Sequence, residues 1–201
     1  SVYDLFMQAA NKEQIMQSMC PSSYENIDIL PATMGLATLD RSLGNKGGMG
    51  LVLKKALQAI KNEYDYVLID CPPVLGVLMV NALAASDRII VPVQTEFLAL
   101  KGLDRMMKTL DIMQGQQPSA FKYTIVPTMF DKRTKASILT YQKLLRAYGE
   151  AVWTAVIPID TNFRNASNAQ KVPSDFAPKS RGILAYRDLL TYLVNLTTQS
   201  K

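Results

Sequence analysis

Tyr64-Asp65-Tyr66-Val67-Leu68-Ile69-Asp70-Cys71-Pro72-Pro73 is the stretch that decides the fold class. Residues 66–69 are apolar on both parities. A strand with one wet face would alternate, so the run predicts a strand buried on both faces of a parallel sheet. It ends on a carboxylate, and two prolines then stop the ladder. Ligands of open parallel sheets sit outside the carboxyl ends of the strands. Asp70 is therefore a candidate Walker-B acid, holding Mg²⁺ directly or through a water beside a nucleotide's phosphates. The alternative is that Asp70 only caps the helix that follows.

Outward from this run, strands alternate with helices. Asp87–Val93, Lys122–Pro127 and Trp153–Pro158 read as further strands, the first of them buried. Helices are predicted over residues 2–19, 33–43, 49–61, 74–85, 97–113, 135–148 and 179–196, with a short strand at 27–30. Residues 161–178 are polar and irregular, with room for a short helix. The alternation implies an α/β fold: a mostly parallel sheet with helices on both faces and right-handed crossovers. Proline stands at or just beyond four strand ends, in Asp70-Cys71-Pro72-Pro73, Val91-Pro92-Val93-Gln94, Val126-Pro127-Thr128-Met129 and Ile157-Pro158-Ile159-Asp160. Those loops would wall a cleft on one edge of the sheet.

Asn45-Lys46-Gly47-Gly48-Met49-Gly50 mimics a phosphate loop, but Leu51 and Val52 stand where Lys and Ser/Thr are needed, and no apolar strand precedes it. It reads as a loop opening a helix. The 201 residues are 48% hydrophobic and 19% charged, which excludes disorder. No apolar run is long enough to span a bilayer. Two distant cysteines make no disulfide framework, so a reducing cytoplasm is expected. Cys71 reads as an inert, buried thiol. Histidine is absent, which excludes a His-based triad, a His general base or a His metal site within the chain. Residues 1–120 carry 10 Lys+Arg against 12 Asp+Glu, and residues 121–201 carry 12 against 5. The basic half hints at a polyanionic partner; the alternative is a solvated basic surface. Ser1-Val2-Tyr3-Asp4 carries no initiator Met and no signal-peptide pattern, so the sequence is expected to start mid-protein or after processing.

Together the stretches from 64–73, 80–87, 91–96, 100–103, 127–134 and 178–182 resemble, in order, the ParA/MinD family of deviant-Walker ATPases, the ParA branch above all. The resemblance implies a single ATPase domain over 1–201, with 1–62 following the family's acidic switch and 63–201 running from Walker B to the C-terminal helix. It implies ATP and Mg²⁺ as cofactors, a homodimer in the ATP-bound state, sequence-independent DNA binding and a stimulating partner protein. Such proteins position plasmids, chromosome origins or polar protein clusters, and a bacterial, cytoplasmic, nucleoid-associated or polar location follows. By the same resemblance Asp70 is the Walker-B acid, Thr128, Met129, Pro158 and Asp160 flank the adenine, and Lys132, Arg133 and Arg164 lie in or near stretches that contact DNA. Wording such as Pro127-Thr128-Met129-Phe130-Asp131-Lys132-Arg133-Thr134 resembles members that place chemotaxis or flagellar machinery at the pole.

One departure stands out. The family's opening strand, its Lys-Gly-Gly-x-Gly-Lys-Thr/Ser loop and its switch acid are not in this sequence. The βαβ portion concerned is upwards of ~30 residues. The 201 residues alone are therefore expected not to turn over ATP, and the sheet is expected to show an unpaired gap or edge. A nucleotide-independent interaction scaffold, presenting the helix at 97–113, is the competing reading.

Overall fold

A computed structural model of the chain describes residues 1–8, 11–43, 49–71, 75–115 and 121–198, with residues 40–43 described in backbone only. The loop at 44–48, the prolines at 72–73 and most of the turn after Gly115 lie outside the described residues. The chain divides into two compact units, Ser1–Asp87 and Arg88–Lys201.

The first unit is helical. Its elements are α1 (Val2–Met7), α2 (Lys12–Gln17), β1 (Cys20–Pro21), β2 (Asp28–Ile29), α3 (Gly35–Leu43), a 3-10 turn (Met49–Leu51), α4 (Val52–Ala59) and α5 (Val77–Ala85). The expected single helix over 2–19 is two. Gln8 turns extended at the end of α1, and Asn11 opens α2 with a capping box closed by Gln14. Leu5, Ile15, Ala56 and Ile60 form one core cluster, and Phe6, Leu36 and Leu39 a second. Asn81 ties α5 to the 3-10 turn and the start of α4. Its Oδ1 accepts from Leu53 N at 3.0 Å, and its Nδ2 donates to the carbonyls of Met49 and Val77 at 2.6 and 2.8 Å. A buried amide with every bond made specifies that helix–helix register.

The run that opened the sequence analysis departs from expectation. Residues 66–70 form no regular element and belong to no ladder among the described residues. Tyr66, Val67 and Leu68 are exposed, Leu68 by 90%. The expectation of a strand buried on both faces is corrected here. An apolar run becomes a strand only where neighbours take its N–H and C=O groups, and among the described residues of this unit β1 and β2 pair only with each other.

The second unit carries the parallel pairing. Its elements are β3 (Ile89–Gln94), α6 (Phe97–Gln114), β4 (Tyr123–Thr128), α7 (Lys135–Tyr148), a 3-10 turn (Gly149–Ala151), α8 (Asn162–Asn168), α9 (Pro173–Phe176) and α10 (Arg181–Thr198). β3 and β4 pair in parallel from Ile89↔Tyr123 to Gln94↔Thr128, joined by α6. β4 is buried on both faces from Thr124 to Pro127. β3 alternates instead: Val91 and Val93 are buried, while Ile90, Pro92 and Gln94 are exposed. The expected strand at 153–158 is reduced to two parallel bridges, Ile125↔Val152 and Phe130↔Pro158. Hydrogen bonds still tie it to β4, from Trp153 N to Ile125 O at 2.9 Å and from Ile157 N to Pro127 O at 2.8 Å. Val126, Trp153, Ile157 and Leu189 form the core beneath.

Candidate functional site

In the second unit a hollow of about 510 Å³ opens where β3, β4 and the run after Trp153 end. Pro92, Thr128, Met129, Ile157, Pro158 and Ile159 wall it, and Asp160, Thr161, Phe163, Arg164 and Tyr186 complete it. Its position is the one expected of a parallel sheet, since all three walls are carboxyl ends. Thr128, Met129, Pro158 and Asp160, named from sequence, converge on it, and so does Arg164.

Each wall is fixed from beneath. Met129 holds a left-handed backbone, φ 53°, rare for a residue with a long side chain. The turn is held because Thr95 Oγ1 donates to the Met129 carbonyl at 3.3 Å and shares a 2.6 Å bond with Ser137 Oγ, which accepts from Asp131 N at 3.1 Å. Phe130 N donates to Ile157 O, and Ile159 N to Phe130 O, so the two rims are stitched together. Asp160 is engaged on both carboxylate oxygens. Oδ1 accepts from Asn162 N at 2.9 Å and Asn162 Nδ2 at 2.8 Å, and Oδ2 from Gly182 N at 2.9 Å. Burial pushes its pKa up, but these bonds and one from Ser180 outweigh it, and the net shift is downward. Asp160 thus shapes the rim and anchors α10. Gly182 has no alternative there, because a Cβ would stand 2.3 Å from Phe163 Cε2 and 3.0 Å from Asp160 Cβ.

Sequence reasoning missed Phe163 and Tyr186, whose rings meet edge to face at 5.5 Å and 73°. The signal was faint: an aromatic directly after Asn162, and another one helical turn beyond Gly182. Pro92, in one of the four proline-marked strand ends expected to wall a cleft, does line the hollow.

Lys132 and Arg133 lie in the loop between β4 and α7, while Arg164 is on α8. Arg133 is clasped by Asp131: Nε to Oδ1 at 2.9 Å, and Nη2 to Oδ2 at 2.8 Å. This fork, with the Arg133 N–H on Oδ1, holds the Asp131 carboxyl at about 2. The sign follows: the ionised clasp is present above the usual carboxylate range and is lost only as pH falls through about 2. Arg133→Ala should raise the Asp131 side-chain pKa from about 2 toward the ordinary carboxylate range without reaching it, because the backbone N–H of residue 133 and the Arg181 charge remain, read by carboxyl ¹³C NMR titration. An unmoved midpoint would mean another group holds it down.

Asp70 belongs to the first unit and borders a separate, mostly apolar cavity of about 680 Å³ lined by Phe6, Leu36, Leu57, Ile60 and the 66–71 run, among others. It is exposed, with no hydrogen bond or ion pair among the described residues. Burial first, and the Asp70 charge second, push the half-buried Cys71 thiol up, away from the thiolate form. Among the described residues no group of three or more Cys, Asp or Glu could hold a metal. Asp70 therefore fits Mg²⁺ only as one protein ligand among phosphates and waters, the usual manner for that ion.

A parallel β–α–β unit with a hollow at its strand ends defines the α/β class, whose ligands sit at that edge of the sheet. Comparison with known proteins narrows it. The AAA domain family matches residues 1–123. The sporulation initiation inhibitor protein Soj of Bacillus subtilis is 35% identical over 94% of this chain and 74% of its own length. The chromosome partitioning protein ParA of Caulobacter vibrioides is 32% identical over 97% of this chain and 73% of its own. Among solved structures, a cobyrinic acid a,c-diamide synthase from Mycobacterium smegmatis, with bound ADP and magnesium, matches at a TM-score of 0.80 and 28% identity, covering 100% of this chain and 74% of that one. The chain belongs to the ParA/MinD family of deviant-Walker ATPases, in its ParA branch. No helix among the described residues is long and apolar enough to cross a membrane.

Proposed function

We propose that residues 1–201 work as one ParA-like partitioning ATPase domain. Mg-ATP binding and hydrolysis would switch its homodimerisation and its sequence-independent hold on DNA, with a partner protein stimulating turnover and plasmid, chromosome or polar machinery as cargo. The observation that supports this most is the convergence of Thr128, Met129, Pro158 and Asp160 on one hollow. Its volume lies in the range of small-molecule sites, and its largely apolar walls suit a base.

Pro92, Ile157 and Pro158 exclude water from the faces of a base. Met129 and Ile159 present backbone at the rim, and Asp160 keeps that rim in place. Asp70 would hold Mg²⁺, directly or through a water, and the ion would neutralise phosphate charge there. The sequence holds no lysine-flanked glycine loop, so none of its residues is assigned the task of positioning the γ-phosphate. Turnover by these 201 residues alone is not expected.

Lys132, Arg133 and Arg164 are the proposed phosphate contacts of DNA. Replacing all three by Glu should weaken duplex binding more than about tenfold and flatten the salt dependence, each lost contact lowering the log–log slope by about one. Filter binding on random-sequence duplex across a salt series reads both quantities. Unchanged affinity and slope would remove DNA from the function, or move it to another face.

A further inference from the structure

α6 carries a surface that its own fold leaves unexplained. Leu103, Met107 and Leu110 face inward and are buried. Leu98, Lys101, Arg105, Lys108 and Ile112, spaced three or four apart, form one outward stripe, and all five are exposed. Leu98 is 74% exposed and Ile112 67%, at the two ends of a stripe about 21 Å long. Lys101 lies over the Phe97 ring, 5.1 Å from its centroid, and none of the three cations forms an ion pair among the described residues. Of the acids on the same helix, Asp104 accepts from Tyr148 Oη at 2.8 Å, and Asp111 stands beside Lys108.

Gly102 supplies an independent observation. Glycine inside a helix is unfavourable relative to alanine, and it is usually kept for close packing. Here a Cβ would meet nothing within 4 Å, so nothing inside the chain requires the missing side chain. Gly102 lies one turn after Leu98 and three residues before Arg105, on the flank of the stripe. It leaves a shallow notch through which another backbone could approach.

We propose that this stripe docks an acidic amphipathic segment of a partner protein, its carboxylates on Lys101, Arg105 and Lys108 and its aliphatic side chains on Leu98 and Ile112. Charge complementarity selects an anionic partner. The two aliphatic ends and the notch select a peptide over the alternatives. DNA would use the cations and leave Leu98 and Ile112 idle, and a bilayer needs a continuous apolar face rather than one split by three cations.

The test uses a synthetic helical peptide of roughly five turns with three glutamates between two leucines, titrated against the chain by fluorescence anisotropy. Micromolar binding is expected. K101E/R105E/K108E, L98S/I112S and G102Q should each weaken it by more than about tenfold, while G102Q raises the melting temperature because it improves the helix. In parallel arms, random duplex DNA and phosphatidylglycerol vesicles should be indifferent to L98S/I112S and G102Q. Absence of peptide binding, or peptide binding that survives L98S/I112S and G102Q, overturns the proposal. So does DNA or vesicle binding that falls with those variants as peptide binding should.

Discussion

Trp153→Ala is expected to lower the stability of the chain by about 3–5 kcal/mol, the range for removing a buried large aromatic. The side chain is 4% exposed in the cluster with Val126, Ile157 and Leu189, against α10 residues Ala185, Tyr192 and Leu193. Its backbone N–H also makes the first bond that brings the 153–158 run beside β4. Because that run has bridges rather than a ladder, side-chain packing holds it in place more than backbone pairing does. The loss should therefore fall on the hollow as well as on stability. Chemical denaturation should show a lower midpoint, and amide exchange should rise at Ile157 and Ile159 before it rises in β4. A loss below about 1 kcal/mol, the level of an ordinary substitution, would mean the cluster does not support the rim.

Asp70→Asn is expected to reduce ATP turnover by about 10²-fold or more, the cost of removing one charge-stabilising group from a phosphoryl-transfer site. The measurement needs a chain carrying the family's lysine-flanked glycine loop ahead of Ser1. Asn keeps the shape and loses the charge. Asp70 is exposed and makes no hydrogen bond among the described residues, so the melting temperature should not change. That separation distinguishes a metal-holding role from a helix cap, whose removal would cost stability and leave turnover alone. Equal rates would end the role given to Asp70.

The long, strongly periodic elements were legible in the sequence. α6, α7 and α10 fall within two residues of their expected ends, because apolar positions at helical spacing settle which face is buried. β4 was legible for a second reason: its apolar run is flanked by partners on two edges, β3 along its length and the bridges to Val152 and Pro158. The same pattern misled at 66–69. Apolar character there states what the run can bury, and only a neighbour can provide the burial. β3 shows the milder form of that lesson, with Ile90 and Pro92 left outward. Thr128, Met129 and Pro158 could be named through the family resemblance, on loops that the strand ends and prolines already marked as a cleft wall. The engagement of Asp160 by Gly182 could not, because residues 22 apart meet only through the fold of α8 and α10. The fork between Asp131 and Arg133 was in reach, since an acid bonding two residues onward is a turn habit of Asp.

The hollow walled by Thr128, Met129 and Pro158 as a base site is the claim on which the nucleotide reading stands. Its most direct test is a ¹⁵N-amide NMR titration of the chain with adenosine, ribose serving as the control. Adenosine should shift the amides of Met129, Ile159, Thr161 and Phe163 together in a saturable way, while ribose leaves them in place. Saturable shifts confined to other residues, or none at adenosine concentrations that saturate weak sites, would contradict it.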